Sequence, residues 1–160
     1  MADVWVVNAS PLIALAHADS LALLEEQPAE LMVPEAVVEE ILAGPDDPAR
    51  RALAAGWGRR RAATVPEKVA EWGLGKGESA VLALALELGA TAVLDDRGAR
   101  RGAKALGVSV IGTFGVIIRA RQHGLLAAAR PVIRSVVDAG LYYDDDAIRT
   151  LLASVGESWP

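Results

Sequence analysis

The chain of 160 residues contains no cysteine. That absence removes zinc–thiolate sites, iron–sulfur clusters, thiol nucleophiles and disulfide staples together, and it suits a reducing compartment. Long apolar runs are missing as well. The longest uncharged segments, residues 4–18 and 105–118, are interrupted by Pro or Gly. Both are shorter than the roughly 18 residues a membrane-spanning helix needs. No Lys or Arg precedes the first apolar run, where a secretory leader would carry one. A soluble cytoplasmic protein with no membrane partner is therefore expected. Positive charge is the scarcer sign: 16 Lys and Arg against 21 Asp and Glu leave a formal net charge of -5. That balance argues against a general polyanion-binding surface, and any nucleic-acid contact must come from a local basic patch.

What remains is rich in core-forming residues. The composition is 52% hydrophobic and 23% charged, which excludes disorder. The length fits a single domain over residues 1–160, large enough to bury roughly 70% of its unfolded surface without a metal or disulfide staple. No repeat, low-complexity tract or interdomain linker divides it.

Hydrophobic periodicity predicts strands at residues 4–7, 31–33, 91–94 and 108–111, with helices between them. Ser10 is a candidate N-cap, with Pro11 at the first helical position. A helix opens at Pro34 and stops at Gly44–Pro45, and residues 49–55 are a further helical candidate. An edge strand is expected at residues 62–65. The segment 78–88 is apolar almost all round, so that helix is expected to be central, with Gly89 as its C-cap. Helices follow at residues 97–106, 113–122 and 127–137, and a last one is capped by residues 144–146. Strands alternating with helices imply right-handed crossovers and a parallel sheet covered on both faces.

In such a sheet, chemistry sits beyond the carboxyl ends of the strands. Two of those ends carry oxygen ligands: Asn8 with Ser10, and Asp95 with Asp96. The adjacent aspartates repel each other unless a cation or Arg compensates them. The competing reading is that one of them caps the helix at Arg97 and favours its dipole. Glu78 is either a site residue or simply an acid in a first helical turn. Glu40 borders the stripe of Val37, Val38 and Ile41, so it points either to the sheet end or to solvent. Asn8, Glu40, Glu78 and Asp96 come from four separate elements, and hard divalent cations such as Mg²⁺ and Mn²⁺ take oxygen donors gathered in this way.

Basic residues cluster at Arg50–Arg51, at residues 59–61, and at Arg97, Arg100, Arg101 and Lys104. Arg97, Arg101 and Lys104 are spaced to share one helix face beside the acidic pair, where they can meet phosphates or simply solvent. Other motifs fail. Gly73-x-Gly75-x-Gly77 follows Val69–Ala70–Glu71–Trp72 rather than a buried strand, so it is no dinucleotide fingerprint. Gly77–Glu78–Ser79 is not a phosphate-binding loop, and Ser10 lacks the glycines of a nucleophile elbow. His17 and His123 have no partner in view.

Residues 7–13, 34–40, 75–84, 94–100 and 111–118 together resemble the PIN-domain superfamily of metal-dependent ribonucleases, many of them toxins of toxin–antitoxin pairs. The resemblance spans nearly the whole chain, including a helical tail from about residue 125 that carries Gly140, Leu141 and Tyr142. It implies a three-layer α/β/α sandwich with a central, mainly parallel sheet. It also implies a Mg²⁺- or Mn²⁺-dependent endoribonuclease whose acids gather at the carboxyl edge. Carried over by motif, the four acid positions fall on Asn8, Glu40, Glu78 and Asp96. On that resemblance Glu40, Glu78 and Asp96 would be the catalytic residues and metal ligands, Asn8 and Asp95 further metal ligands, and Ser10 a supporting hydroxyl. Arg97, Arg100, Arg101 and Lys104 would bind RNA phosphates. The implied partners are RNA, a cognate antitoxin and a second copy of the chain. Asn8 departs from the family pattern, which places Asp there. An amide oxygen can coordinate a metal but brings no charge, so the alternative is a catalytically silent PIN-like protein that binds RNA or protein.

Overall fold

The computed structural model describes residues 3–141 and 143–160. Tyr142, which the sequence places in the helical tail, lies outside the described residues. In chain order the elements are β1 (Val4–Val7), α1 (Ala9–His17), α2 (Ala22–Glu26), β2 (Glu30–Pro34), α3 (Glu35–Leu42), α4 (Pro48–Ala54) and β3 (Arg59–Arg61). The second part comprises α5 (Glu67–Ala70), α6 (Lys76–Leu88), β4 (Thr91–Val93), α7 (Arg97–Leu106), β5 (Val110–Ile111), α8 (Thr113–Gln122), α9 (Arg130–Asp138) and α10 (Asp145–Ala153).

The five strands form one all-parallel sheet in the order β3-β2-β1-β4-β5. Helix α6 lies across β1, β2 and β4, with α3, α5 and α7 packed against it. Helix α8 packs with α1, α2, α9 and α10. The result is the α/β/α architecture expected of an alternating strand–helix chain. The apolar side chains join in one core that runs from Trp5 to Trp159. Helix α6 earns its central place through its composition: Gly77 and every residue from Ser79 to Ala85 is buried.

The chain leaves β1 toward β2 and β3, then returns to the other side of β1 for β4 and β5. The strand order therefore reverses between β1 and β4, and a crevice opens beyond their carboxyl ends. Val7 is in register with Val93, and the Asn8 N–H donates to the Val93 carbonyl at 2.9 Å, so the two strands end together.

Two local expectations are corrected. Asn8, not Ser10, occupies the N-cap position of α1, and Ser10 lies inside the helix. The edge strand is β3, at Arg59–Arg61, rather than residues 62–65. It pairs with β2 while all three arginine side chains face solvent, so an apolar pattern could not reveal it. Between β3 and α6, the single-turn helix α5 buries only Val69, which is too little to register as periodicity.

Candidate functional site

Two adjoining cavities fill the crevice. One, of about 340 Å³, is lined by Asn8, Ser10, Glu40 and Glu78 on its polar side and by Ile13, Val136 and Leu141 on its apolar side. The other is lined by Asn8, Ser10, Glu78, Asp95, Asp96 and Arg97. Asn8, Ser10, Glu78, Gly140 and Leu141 belong to both, so the end of β1, the starts of α1 and α6 and the chain after α9 meet there.

Each position has a local cause. Asn8 follows the last residue of β1 with extended backbone (φ -84°, ψ 168°) and is only 4% exposed. An Asn at an N-cap ordinarily accepts a backbone N–H of the first turn. Asn8 makes no such cap bond, and its Oδ1 lies over Gly77 instead. A Cβ on Gly77 would lie 3.4 Å from Asn8 Oδ1 and 3.3 Å from Glu40 Oε1. The two oxygens thus converge over a backbone that has no side chain to fill the space between them. Glu78 stands in the first turn of α6, and its Oε2 leans back over Gly75, the N-cap of that helix, only 2.6 Å from where a Cβ would sit. Burial raises the Glu40 pKa above its ordinary value of 4.5, and the negative charge of Glu78 raises it further.

The Asp95–Asp96 pair is held differently. Thr113, at the start of α8, donates its backbone N–H to Asp95 Oδ1 at 2.8 Å and its hydroxyl to Oδ2 at 2.6 Å. Asp96 caps α7, its Oδ2 accepting the Ala99 N–H at 2.8 Å. Each aspartate also has a cation near it. A Cβ on Gly112 would sit 3.0 Å from Asp95 Oδ1 and 2.8 Å from Arg100 Nη2. One on Gly98 would sit 3.2 Å from Asp96 Oδ2 and 3.9 Å from Arg101 Nη2. Arg97, Arg101 and Lys104 are exposed at helical spacing along α7, while Arg100 leans toward Asp95 and β5.

The crevice thus brings Asn8, Ser10, Glu40 and Glu78 around one cavity, and joins Asp95, Asp96 and Arg97 to them through the second. Among the described residues, no three Asp, Glu, His or Cys side chains are close enough to form a metal cluster by themselves. Any cation site here needs the Asn8 amide oxygen as a donor beside Glu40 and Glu78. An all-oxygen set of two carboxylates and an amide fits Mg²⁺ or Mn²⁺ and not softer ions. The sequence reading also missed a feature of this edge: His17, without a partner in the sequence, lines the first cavity from the end of α1. Its spacing from Ser10 and Ile13, seven and four residues along one helix face, is the available signal.

A parallel α/β/α sheet with carboxylates at its switch point defines a class of α/β proteins that place chemistry at that edge. Within it, the family described as "DUF3368: PIN domain" matches residues 4–157, and the chain belongs to this PIN-domain family. Two solved structures are similar to the chain, the first of them in fold. PAE2754 from Pyrobaculum aerophilum is 18% identical with a TM-score of 0.53, over 74% of this chain and 90% of that one. A PilT N-terminus domain protein from the hyperthermophilic archaeon Sulfolobus solfataricus P2 is 19% identical with a TM-score of 0.48, over 88% of this chain and 99% of that one. No curated protein matches the sequence. Among the described residues, no helix is long and apolar enough to cross a membrane.

Proposed function

We propose that the protein is a Mg²⁺- or Mn²⁺-dependent endoribonuclease of the PIN type, acting as the toxin of a toxin–antitoxin pair. The observation that carries the nuclease reading is the convergence of Asn8 Oδ1 and Glu40 Oε1 over the bare backbone of Gly77, with Glu78 close enough to raise the Glu40 pKa. Asn8, Glu40 and Glu78 would hold the cation, with Asp96 reaching it from the second cavity and Asp95 as an outlying ligand. A bound cation would supply Lewis acidity toward water and the phosphodiester oxygens. Arg97, Arg101 and Lys104 would seat the RNA backbone beside the cleft by charge-assisted contacts, and Arg100 would contribute from its position near Asp95. Ser10 would orient the Asn8 amide, while Ile13, Val136 and Leu141 limit water around the carboxylates. The toxin role, the antitoxin partner, the homodimer and the cytoplasmic setting rest on the resemblance of the sequence motifs.

A second reading has its own support. Asn8 brings no charge, and Asp95 and Asp96 already accept hydrogen bonds from helix N-termini. Two free carboxylates are few for phosphodiester chemistry, which favours a silent RNA- or protein-binding protein. Incubating the purified protein with single-stranded RNA and Mn²⁺ separates the two. The nuclease reading expects cleavage that EDTA stops and that Glu78→Gln lowers by about a hundredfold or more. RNA bound but uncut by the natural protein leaves the silent reading.

A further inference from the structure

Beside the cleft, the geometry points to Trp72 as a stacking platform for one base of a single-stranded RNA, a role that rests on the RNA-binding reading above. Of the four tryptophans, Trp5 and Trp159 are buried in the core, and Trp57 is half-buried with its indole N–H given to Glu25. Trp72 alone among them is exposed, at 40%. Its ring is nevertheless fixed. Gly73 turns the chain through a left-handed conformation (φ +62°) right after it, and the half-buried Leu74 packs into the core and toward Gly98. The indole then rests on α7 at Gly102, where a Cβ would come within 3.3 Å of Cδ2 and 3.4 Å of Cγ. A glycine at that point lets the ring lie against the helix while 40% of the residue stays exposed.

The surroundings choose the ligand. Gly98 lies one helical turn from Gly102, about 6 Å along α7, and stands between Asp96 Oδ2 and Arg101 Nη2. Arg97, Arg101 and Lys104 line the same exposed helix in a chain whose net charge is -5. Cations that track a backbone next to a rigid exposed aromatic ring are the two components of single-strand recognition. A base stacked on Trp72 would sit next to the acidic cleft, with its phosphate toward Arg101. The stack needs no hydrogen-bond readout, so it would bind every base and hold the strand in place without choosing its sequence.

The test reads tryptophan emission of the full-length protein for stacking and the fluorescence anisotropy of end-labelled hexamers for affinity, titrating in EDTA with a single-stranded RNA hexamer and with an abasic hexamer of equal charge. The RNA hexamer should quench emission and the abasic one should not. Trp72→Leu keeps an apolar cover over Gly102 but has no π-face. It should bind the RNA hexamer about tenfold more weakly with an unchanged salt slope. Trp72→Phe should recover most of the loss, and both variants should bind the abasic hexamer like the natural protein. Equal RNA affinity in Trp72→Leu, or no quenching at saturation, overturns the stacking role while leaving RNA binding intact, and assigns the exposed ring to a protein partner instead. No hexamer binding by the natural protein overturns this role and the RNA-binding reading together, whereas absence of cleavage alone would touch only the nuclease reading.

Discussion

The cleft holds two pairs of acids, and they are stabilised in opposite ways. Asp95 and Asp96 are neighbours in sequence, yet their charges are compensated. Together they accept three hydrogen bonds from residues at the starts of α7 and α8, where the helix dipoles favour negative charge, and Arg100 and Arg101 stand nearby. Glu40 and Glu78 are far apart in sequence, yet close enough in space for one to raise the pKa of the other. The first pair does structural work by tying the end of β4 to two helices. The second pair carries repulsion that the fold leaves unrelieved and that a cation would relieve. Adjacency of like charges in a sequence is therefore a poor guide to where charge is uncompensated.

The comparison breaks most visibly at Asp95. Thr113 is fully buried, so Asp95→Ala strands its N–H and hydroxyl. At about 1–3 kcal/mol for each group left unpaired, the melting temperature should fall on the order of 10 °C by calorimetry. A fall below a couple of degrees would place Asp95 with the glutamates rather than with the caps. Asp96→Ala removes one N-cap bond and should cost about 1 kcal/mol in denaturant unfolding.

Glu40 should give the smallest effect, and one with a direction set by pH. Its folded pKa lies above the ordinary 4.5, so the folded state keeps the proton longer than the unfolded chain does. The penalty is absent below 4.5 and grows as pH rises through the raised folded value. Glu40→Gln should therefore melt like the natural protein at pH 4 and above it at pH 7. An equal difference at both pH values would remove the repulsion from the account.

Much of this was legible in the sequence because local signals agreed with the fold. Helices α7 and α8 fall at the residues that caps and periodicity predict, Asp96 starting one and Gly107 ending it. The parallel α/β/α architecture follows from alternating strands and helices. Less visible were features set by pairing or by tertiary approach. Strand β3 consists of three exposed arginines whose only strand signal is the neighbouring β2, and Arg59 is secured by Glu30. In the site, residue types identified Asn8, Glu40, Glu78 and Asp96 as candidates. That Asn8 forgoes capping and that Gly77 leaves room between two oxygens depend on backbone geometry. Trp72 carries no signal in the sequence beyond its place before the Gly73-x-Gly75-x-Gly77 loop. Its role depends on Gly102, thirty residues away.

The account turns on the space over Gly77, and calorimetric titration with Mn²⁺ tests it most directly. Gly77 sits in the first turn of α6 without a positive φ, so Gly77→Ala should keep the melting temperature at or above that of the natural protein. Its methyl would nonetheless occupy the point 3.3 Å from Glu40 Oε1 and 3.4 Å from Asn8 Oδ1. The natural protein should bind Mn²⁺, Asn8→Asp should bind it roughly tenfold to a hundredfold more tightly through an added charge-assisted contact, and folded Gly77→Ala should lose the binding heat. Folded Gly77→Ala that binds Mn²⁺ as tightly as the natural protein would contradict the claim that these oxygens hold the cation.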